Sequence, residues 1–163
     1  MRQRTGGYTG WMGVMDKKAA AVCCRRTTAG EVEVLLVRSS DGERWTFPKG
    51  SVEPWEAWAH RTAEREAWEE AGVRGEVDPK RLGLYRHVVR TRKTSAPVDQ
   101  RVEAFLLVVT DDSGTPEPGR APQWFAPAAA AAVLRITAPA PHCADDLETI
   151  LRLGLERFSS RLL

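Results

Sequence analysis

An α/β fold, a mixed β-sheet held between helices, is predicted by three features of the chain. Two apolar runs near the N-terminus, Lys18–Arg25 and Glu31–Arg38, are joined by the turn Thr27-Thr28-Ala29-Gly30 and read as paired strands. A helical segment follows, starting near Ala57 and stopping at Gly72. Beyond it, two more strand-like runs precede an Ala-rich helix and a terminal amphipathic helix.

Taken in order, Met1–Asp16 has four glycines and no periodicity, and is expected to be a flexible arm ahead of one domain spanning 17–163. KAAAVCCR is a continuous apolar run with basic ends, which suits a strand covered on both faces. Ser39–Glu43 is a loop leading to the short run Trp45–Phe47, and Pro48 to Pro54 reads as turns. In the helix, Ala59, Ala63, Ala67 and Ala71 recur every four residues, a thin stripe suited to packing closely on a sheet. Gly72 ends it, because glycine takes the left-handed conformation without a Cβ penalty. No Ser, Thr, Asp or Asn stands where an N-cap would, so the start is weakly marked. Arg81–Arg92 and Arg101–Thr110 are the next strands, joined by a polar loop, and Asp111–Gly119 is a turn-rich connection. Gln123-Trp124-Phe125 is a short strand before the helix Ala128–Leu134, with Pro127 just ahead of that helix or at its first position. The last helix, Asp145–Leu163, carries Leu147, Ile150, Leu151, Leu153 and Leu155 as apolar positions.

The bulk properties narrow the function. At 163 residues with a formal net charge of +2, the chain makes no general case for nucleic-acid binding. No apolar run has membrane length and no secretory segment is present, so a membrane partner is not expected. Cys23 and Cys24 are adjacent inside an apolar run and Cys143 is distant, a pattern of core thiols rather than a disulfide framework. A reducing cytoplasm fits that usage. Composition leaves the oligomeric state open.

Chemistry concentrates at the end of the first helix. Glu66, Glu69 and Glu70 stand at i, i+3 and i+4, placing three carboxylates on one face. Like charges there repel one another, and the helix macrodipole disfavours anions at a C-terminus. Such a face is either solvated or ready for a cation, and hard divalent ions such as Mg2+ take oxygen ligands, often shared with substrate phosphates.

These residues resemble the Nudix box. That pattern is G, five residues, E, seven residues, then R-E-U-x-E-E-x-G-U with U aliphatic; Gly50, Glu56, Arg65-Glu66-Ala67, Glu69-Glu70 and Gly72-Val73 fill its fixed positions. One departure is visible: eight residues rather than seven separate Glu56 from Arg65, an insertion that falls where loop meets helix. The resemblance implies a Nudix α/β/α sandwich and a Mg2+-dependent pyrophosphohydrolase, with Mn2+ as the alternative ion. It implies that Glu66 and Glu70 bind metal and that Glu69 is the base or a further ligand. It also implies a metal contact from the backbone near Lys49 and Gly50, and structural roles for Glu56, Arg65 and Gly72, with Arg65 pairing Glu56.

The stretches KKAAAVCCR, EVLLVRSS, RWTFPKG and QWF are similar to those of diphosphoinositol polyphosphate phosphohydrolases, which also cleave diadenosine polyphosphates. This likeness implies phosphate contacts from Lys17, Lys18, Ser39 and Ser40, with Arg90 on the later strand pair, and a small-molecule polyphosphate as substrate. Lys49, in the loop facing the metals, reads as a further phosphate contact rather than a surface charge. His87 reads as a core or edge histidine, His60 lies on no ligand face, and His142 sits in the cap region of the last helix. Trp55, Trp58 and Trp68 fall near the loop and helix, with packing as their default role. Two alternatives stand beside this reading: a nucleoside triphosphate or RNA-cap pyrophosphatase, and a silent Nudix domain that senses a nucleotide. The presence of all three glutamates argues against the silent form.

Overall fold

The computed structural model describes residues 17–89 and 97–161. Its sheet is built outward from β1 (Lys18–Arg26) and β7 (Val98–Asp111), which run parallel from Lys18↔Val102 to Cys24↔Val108. Every other pairing is antiparallel, so the sheet is mixed. The free edge of β1 is shared by two strands: β4 (Lys49–Ser51) pairs its first residues and β2 (Val32–Arg38) its last. β7 is shared likewise, by β6 (Gly83–Val89) over its first half and β5 (Arg74–Val77) over its second. β3 (Trp45–Thr46) and β8 (Gln123–Phe125) both pair with β2. The sheet thus forks where β2 and β4 part company along β1.

Both faces of β1 are buried, which explains its unbroken apolar run. Ala19, Ala21 and Cys23 face one side, together with Leu35, Phe105 and Leu107. There they meet α1 (Ala59–Glu66) and the π-helical turn that continues it (Ala67–Ala71) through Ala63, Ala67 and Ala71, so the four-residue alanine stripe is the buried face of that helical segment. Ala20, Val22 and Cys24 face the opposite side and pack with Leu36, Phe47, Leu106, Leu134 and Ile150. That side is covered by α2 (Pro127–Thr137) and α3 (Pro141–Arg161). The result is the expected three-layer arrangement of helix, mixed sheet and helices.

Several expected boundaries move for physical reasons. The segment read as turns from Pro48 contains β4, whose three residues are too few to show a period of two. β5 was not anticipated at all, because Arg74–Val77 holds only one strongly apolar residue and pairs at the sheet edge with a register shift. α1 begins at Ala59 rather than near Ala57, after Trp58, which makes no side-chain cap. Its last turn, Ala67–Ala71, widens to π-helical hydrogen bonding, so the glutamates do not lie on a regular α-helix throughout. Gly72 then caps it at φ 70°, as expected of a left-handed stop. α3 starts at Pro141, four residues before the expected Asp145, because proline, which has no N–H, fits a first turn whose N–H groups have no partner within the helix. Arg90 and the arm Met1–Asp16 lie outside the described residues.

Candidate active site

The end of α1 and strand β4 meet where the sheet forks. Glu66 lies against Gly50 so closely that a Cβ on Gly50 would sit 2.0 Å from its Oε2 and 2.2 Å from its Cδ. Only glycine leaves room for that carboxylate. Glu70 turns to the same strand, where its Oε1 accepts the Lys49 backbone N–H at 3.3 Å. Both side chains are nearly buried, whereas Glu69 is half exposed. The widened turn Ala67–Ala71 carries Glu69 and Glu70, and such one-turn π segments recur at functional sites.

Arg65 organises this cluster. Its Nε donates to Glu56 Oε2 at 2.8 Å and its Nη2 to Glu56 Oε1 at 3.1 Å, a bidentate pair. Nη2 also donates to the Ser51 carbonyl at 3.0 Å, while Nη1 reaches Glu66 Oε2 at 2.9 Å and Glu69 Oε1 at 3.0 Å. Glu56 additionally accepts from Thr62 Oγ1 and the Glu53 N–H. Arg65 and Glu56 are thus paired directly, with eight residues between them.

Electrostatics separate the carboxylates. The Arg65 hydrogen bonds hold Glu56 down at about 2. Burial raises Glu66 above the usual carboxylate range, with Arg65 opposing the shift. Burial pushes Glu70 up to about 7, with Glu66 adding to the rise and Arg120 opposing it. These are carboxylates kept in a poorly solvated place and only partly neutralised, the state expected of groups that take up a cation. The donors are all oxygen, which suits a hard ion such as Mg2+ rather than a thiophilic one.

Two neighbours were missed by sequence reasoning. Arg120, in the loop between β7 and β8, bridges Glu70 Oε2 at 3.2 Å and Glu117 Oε1 at 2.8 Å. The Glu117 N–H donates to the Glu69 carbonyl at 3.0 Å, which ties this loop to the helix end. Nothing local marks these residues, because a Pro- and Gly-rich turn has no period to read.

Beside the carboxylates lies a cavity lined by Ser39, Arg44, Lys49, Tyr85, His87 and Cys143, among others. Its lining includes the cations Arg44, Lys49 and Arg86, the last of them paired with Asp146. Burial lowers Lys49 to about 8, with Glu70 opposing and Lys18, Arg120 and Arg44 adding to the fall. Burial also lowers His87 to about 3, helped by Lys49, Arg44 and Lys18, so its ring is neutral at physiological pH. Lys49 and Ser39 are thus brought to one wall. Lys18 is close enough to be felt there, although its Nζ donates to Ser51 Oγ at 3.2 Å. Ser39 donates to Asp41 Oδ1 at 2.6 Å and accepts from the Arg44 N–H, so its hydroxyl also shapes the loop. Lys17 and Ser40 are exposed, and neither lines the cavity. Arg44 and His87 are the wall residues sequence reasoning did not assign. Arg44 could have been suspected from its place in RWTFPKG, and His87 lies on edge strand β6 as read but faces the cavity.

A family model for the NUDIX domain matches residues 16–147. The chain belongs to the Nudix hydrolase family. Its catalogued relatives include diphosphoinositol polyphosphate phosphohydrolase 2 of Rattus norvegicus, 37% identical over 143 residues that cover 85% of this chain and 72% of that protein. Diphosphoinositol polyphosphate phosphohydrolase 3-alpha of Mus musculus is 39% identical over 114 residues, 67% of this chain and 63% of that protein. Similar solved structures include an Ap4A hydrolase of C. elegans, with TM-score 0.57 and 20% identity over 88% of this chain and 98% of that one. The NUDIX domain of Shewanella oneidensis NrtR, in complex with ADP ribose, gives TM-score 0.60 and 15% identity over 87% of each chain. At those identities the structures show the shared Nudix fold. Among the described residues no helix is long and apolar enough to cross a membrane.

Proposed function

We propose that this Nudix hydrolase cleaves a phosphoanhydride bond in a small, polyphosphate-rich substrate, with diphosphoinositol polyphosphates and diadenosine polyphosphates as the first classes to test. One observation carries the reading: Lys49 joins the carboxylate cluster to the cavity, its backbone N–H donating to Glu70 while the residue forms part of the cavity wall. A chain of phosphates laid along that wall would bring one bridging bond to the glutamates. The similarity to diphosphoinositol polyphosphate phosphohydrolases supports a highly charged substrate over a lightly charged one.

Glu66 and Glu70 would hold Mg2+, or Mn2+ in its place, with a backbone carbonyl near Gly50 completing the set. Bound there, the ion would neutralise phosphate charge and lower the barrier to attack by water. Glu69, the most exposed of the three, would accept the proton of that water or serve as a further ligand. Arg65 orients Glu66 and Glu69 together, so that base and ligand keep a fixed spacing. Lys49, Arg44 and the Lys18 region would balance the remaining phosphates, while the neutral His87 ring offers a hydrogen bond without adding charge. Three free cysteines, two of them deep in the core, accord with a reducing cytoplasm.

The test is turnover on a panel of inositol pyrophosphates, diadenosine polyphosphates, nucleoside triphosphates, capped RNA and ADP-ribose with Mg2+, for the parent and Glu69→Gln. Glu69-dependent hydrolysis concentrated on the longest phosphate chains supports the proposal. Binding without turnover across the panel would point instead to a nucleotide sensor.

A further inference from the structure

A second group of metal-ligating side chains lies away from the glutamates, where the first turn of α3 meets the start of β7. Asp99, His142 and Cys143 each offer one ligand atom there, and those atoms all lie within 4.8 Å of one another. His142 Nε2 is already 3.0 Å from Asp99 Oδ1. With Zn–N near 2.0 Å and Zn–S near 2.3 Å, ligand atoms of a tetrahedral site stand roughly 3.3–3.8 Å apart. The closing movement required is therefore at most about 1–1.5 Å.

The donor set is chemically unlike the glutamate cluster. One imidazole, one thiol and one carboxylate make a mixed N/S/O set, which suits Zn2+ and repays Mg2+ poorly. Local charge also favours a cation. Burial raises the Cys143 thiol above its ordinary range, and Asp99 and Asp146 raise it further, outweighing Arg86 and Arg44. Asp146 itself is taken: Arg86 donates to both of its carboxylate oxygens, at 2.8 and 3.1 Å, and through its backbone N–H at 2.9 Å. That pair would stand behind the site and leave Asp99 as the carboxylate free to bind. Cys143 is buried, and it is one of the residues that line the cavity.

We propose that Asp99, His142 and Cys143 form a Zn2+ site, with water as fourth ligand, that ties α3 to β7 at the edge of the substrate cavity. On binding, the Cys143 thiol loses its proton to solvent, and the His142 ring carries its proton on Nδ1 so that Nε2 faces the metal. The tie fixes the position of α3, whose Cys143 and Leu147 form part of the cavity wall.

The test uses the full chain, tag-free and stripped of metal, titrated with Co2+ or Zn2+ in excess Mg2+ so that the glutamates are already supplied. One equivalent of Co2+ should produce a thiolate-to-metal charge-transfer band that Zn2+ abolishes. Cys143→Ser should lack the band, and Glu66→Gln/Glu70→Gln should keep it. Loss of an outer-shell partner alone weakens metal sites about 10- to 100-fold, so His142→Gln and Asp99→Asn should each weaken Zn2+ binding at least tenfold. Zn2+ should also raise the melting temperature of the parent but not of His142→Gln. The proposal is overturned if no charge-transfer band forms, or if the band survives Cys143→Ser. Should Cys143→Ser fail to fold, His142→Gln decides alone, since its ring is partly exposed: unchanged affinity in that variant overturns the site.

Discussion

Replacing Gly50 with alanine separates the geometry of the carboxylate cluster from the stability of the fold. The added Cβ would sit 2.0 Å from Glu66 Oε2, and contacts below 3.0 Å are essentially never seen, so the carboxylate must retreat by at least about 1 Å. Gly50 is not at positive φ, so the backbone accepts alanine and the whole conflict falls on one flexible tip. Moving that tip off its preferred torsion costs about 0.5–1.5 kcal/mol, a small part of domain stability. Displacing a reacting or ligating group by 1 Å, however, can cost on the order of a hundredfold in rate. Gly50→Ala should therefore melt within a few degrees of the parent while kcat/KM with Mg2+ falls about a hundredfold. The assays are thermal unfolding by circular dichroism and initial rates on whichever panel substrate the parent turns over fastest. Activity within threefold of the parent would refute the claim that Gly50 exists to make room for Glu66.

Four further outcomes are expected. Arg65→Ala strands Glu56, whose side chain is only 8% exposed, and should lose about 3 kcal/mol in chemical denaturation; a loss below 1 kcal/mol would show that Arg65 is not the brace. Glu70 is raised to about 7 in the folded protein from 4.5, so the native state binds more protons than the unfolded one between those values. Metal-free protein should accordingly lose stability as pH rises through that window, and Glu70→Gln should flatten the slope; a slope unchanged in the variant would assign it elsewhere. Glu66→Gln and Glu70→Gln should each cut turnover by orders of magnitude while leaving the fold intact, and full activity in either would remove that residue from the metal site. Lys49→Gln should raise KM for a polyphosphate about tenfold or more, from the loss of a charged hydrogen bond of roughly 1.5–3 kcal/mol. The same change should raise the His87 pKa from about 3, readable by NMR titration, because after burial Lys49 is the largest influence holding it down.

The residues that could be read from sequence share one property: their partners lie within a turn or two. Glu66, Glu69 and Glu70 were legible because helical spacing alone gathers them, and the alanine stripe because a four-residue period marks a buried face. The Glu56–Arg65 pair came through resemblance to a box and stands at 2.8 Å despite the extra residue. Arg120 was not legible, since it reaches Glu70 from fifty residues away in a loop with no period. His87 looked like any strand histidine until the fold brought β3, β4 and α3 beside β6 around the cavity it lines. The π-helical widening at Ala67–Ala71 also left no mark, because alanine and glutamate favour an ordinary helix equally well.

By itself, then, the sequence determined the α/β class, the helix that carries the carboxylates and the glycine that stops it, because periodicity and cap chemistry are local properties of a chain. Tertiary structure alone decided which cations meet those carboxylates, where the cavity opens and that Asp99 comes to rest beside His142 and Cys143. Those facts depend on how loops, strands and helices distant in the chain pack together, rather than on any pattern in their own residues.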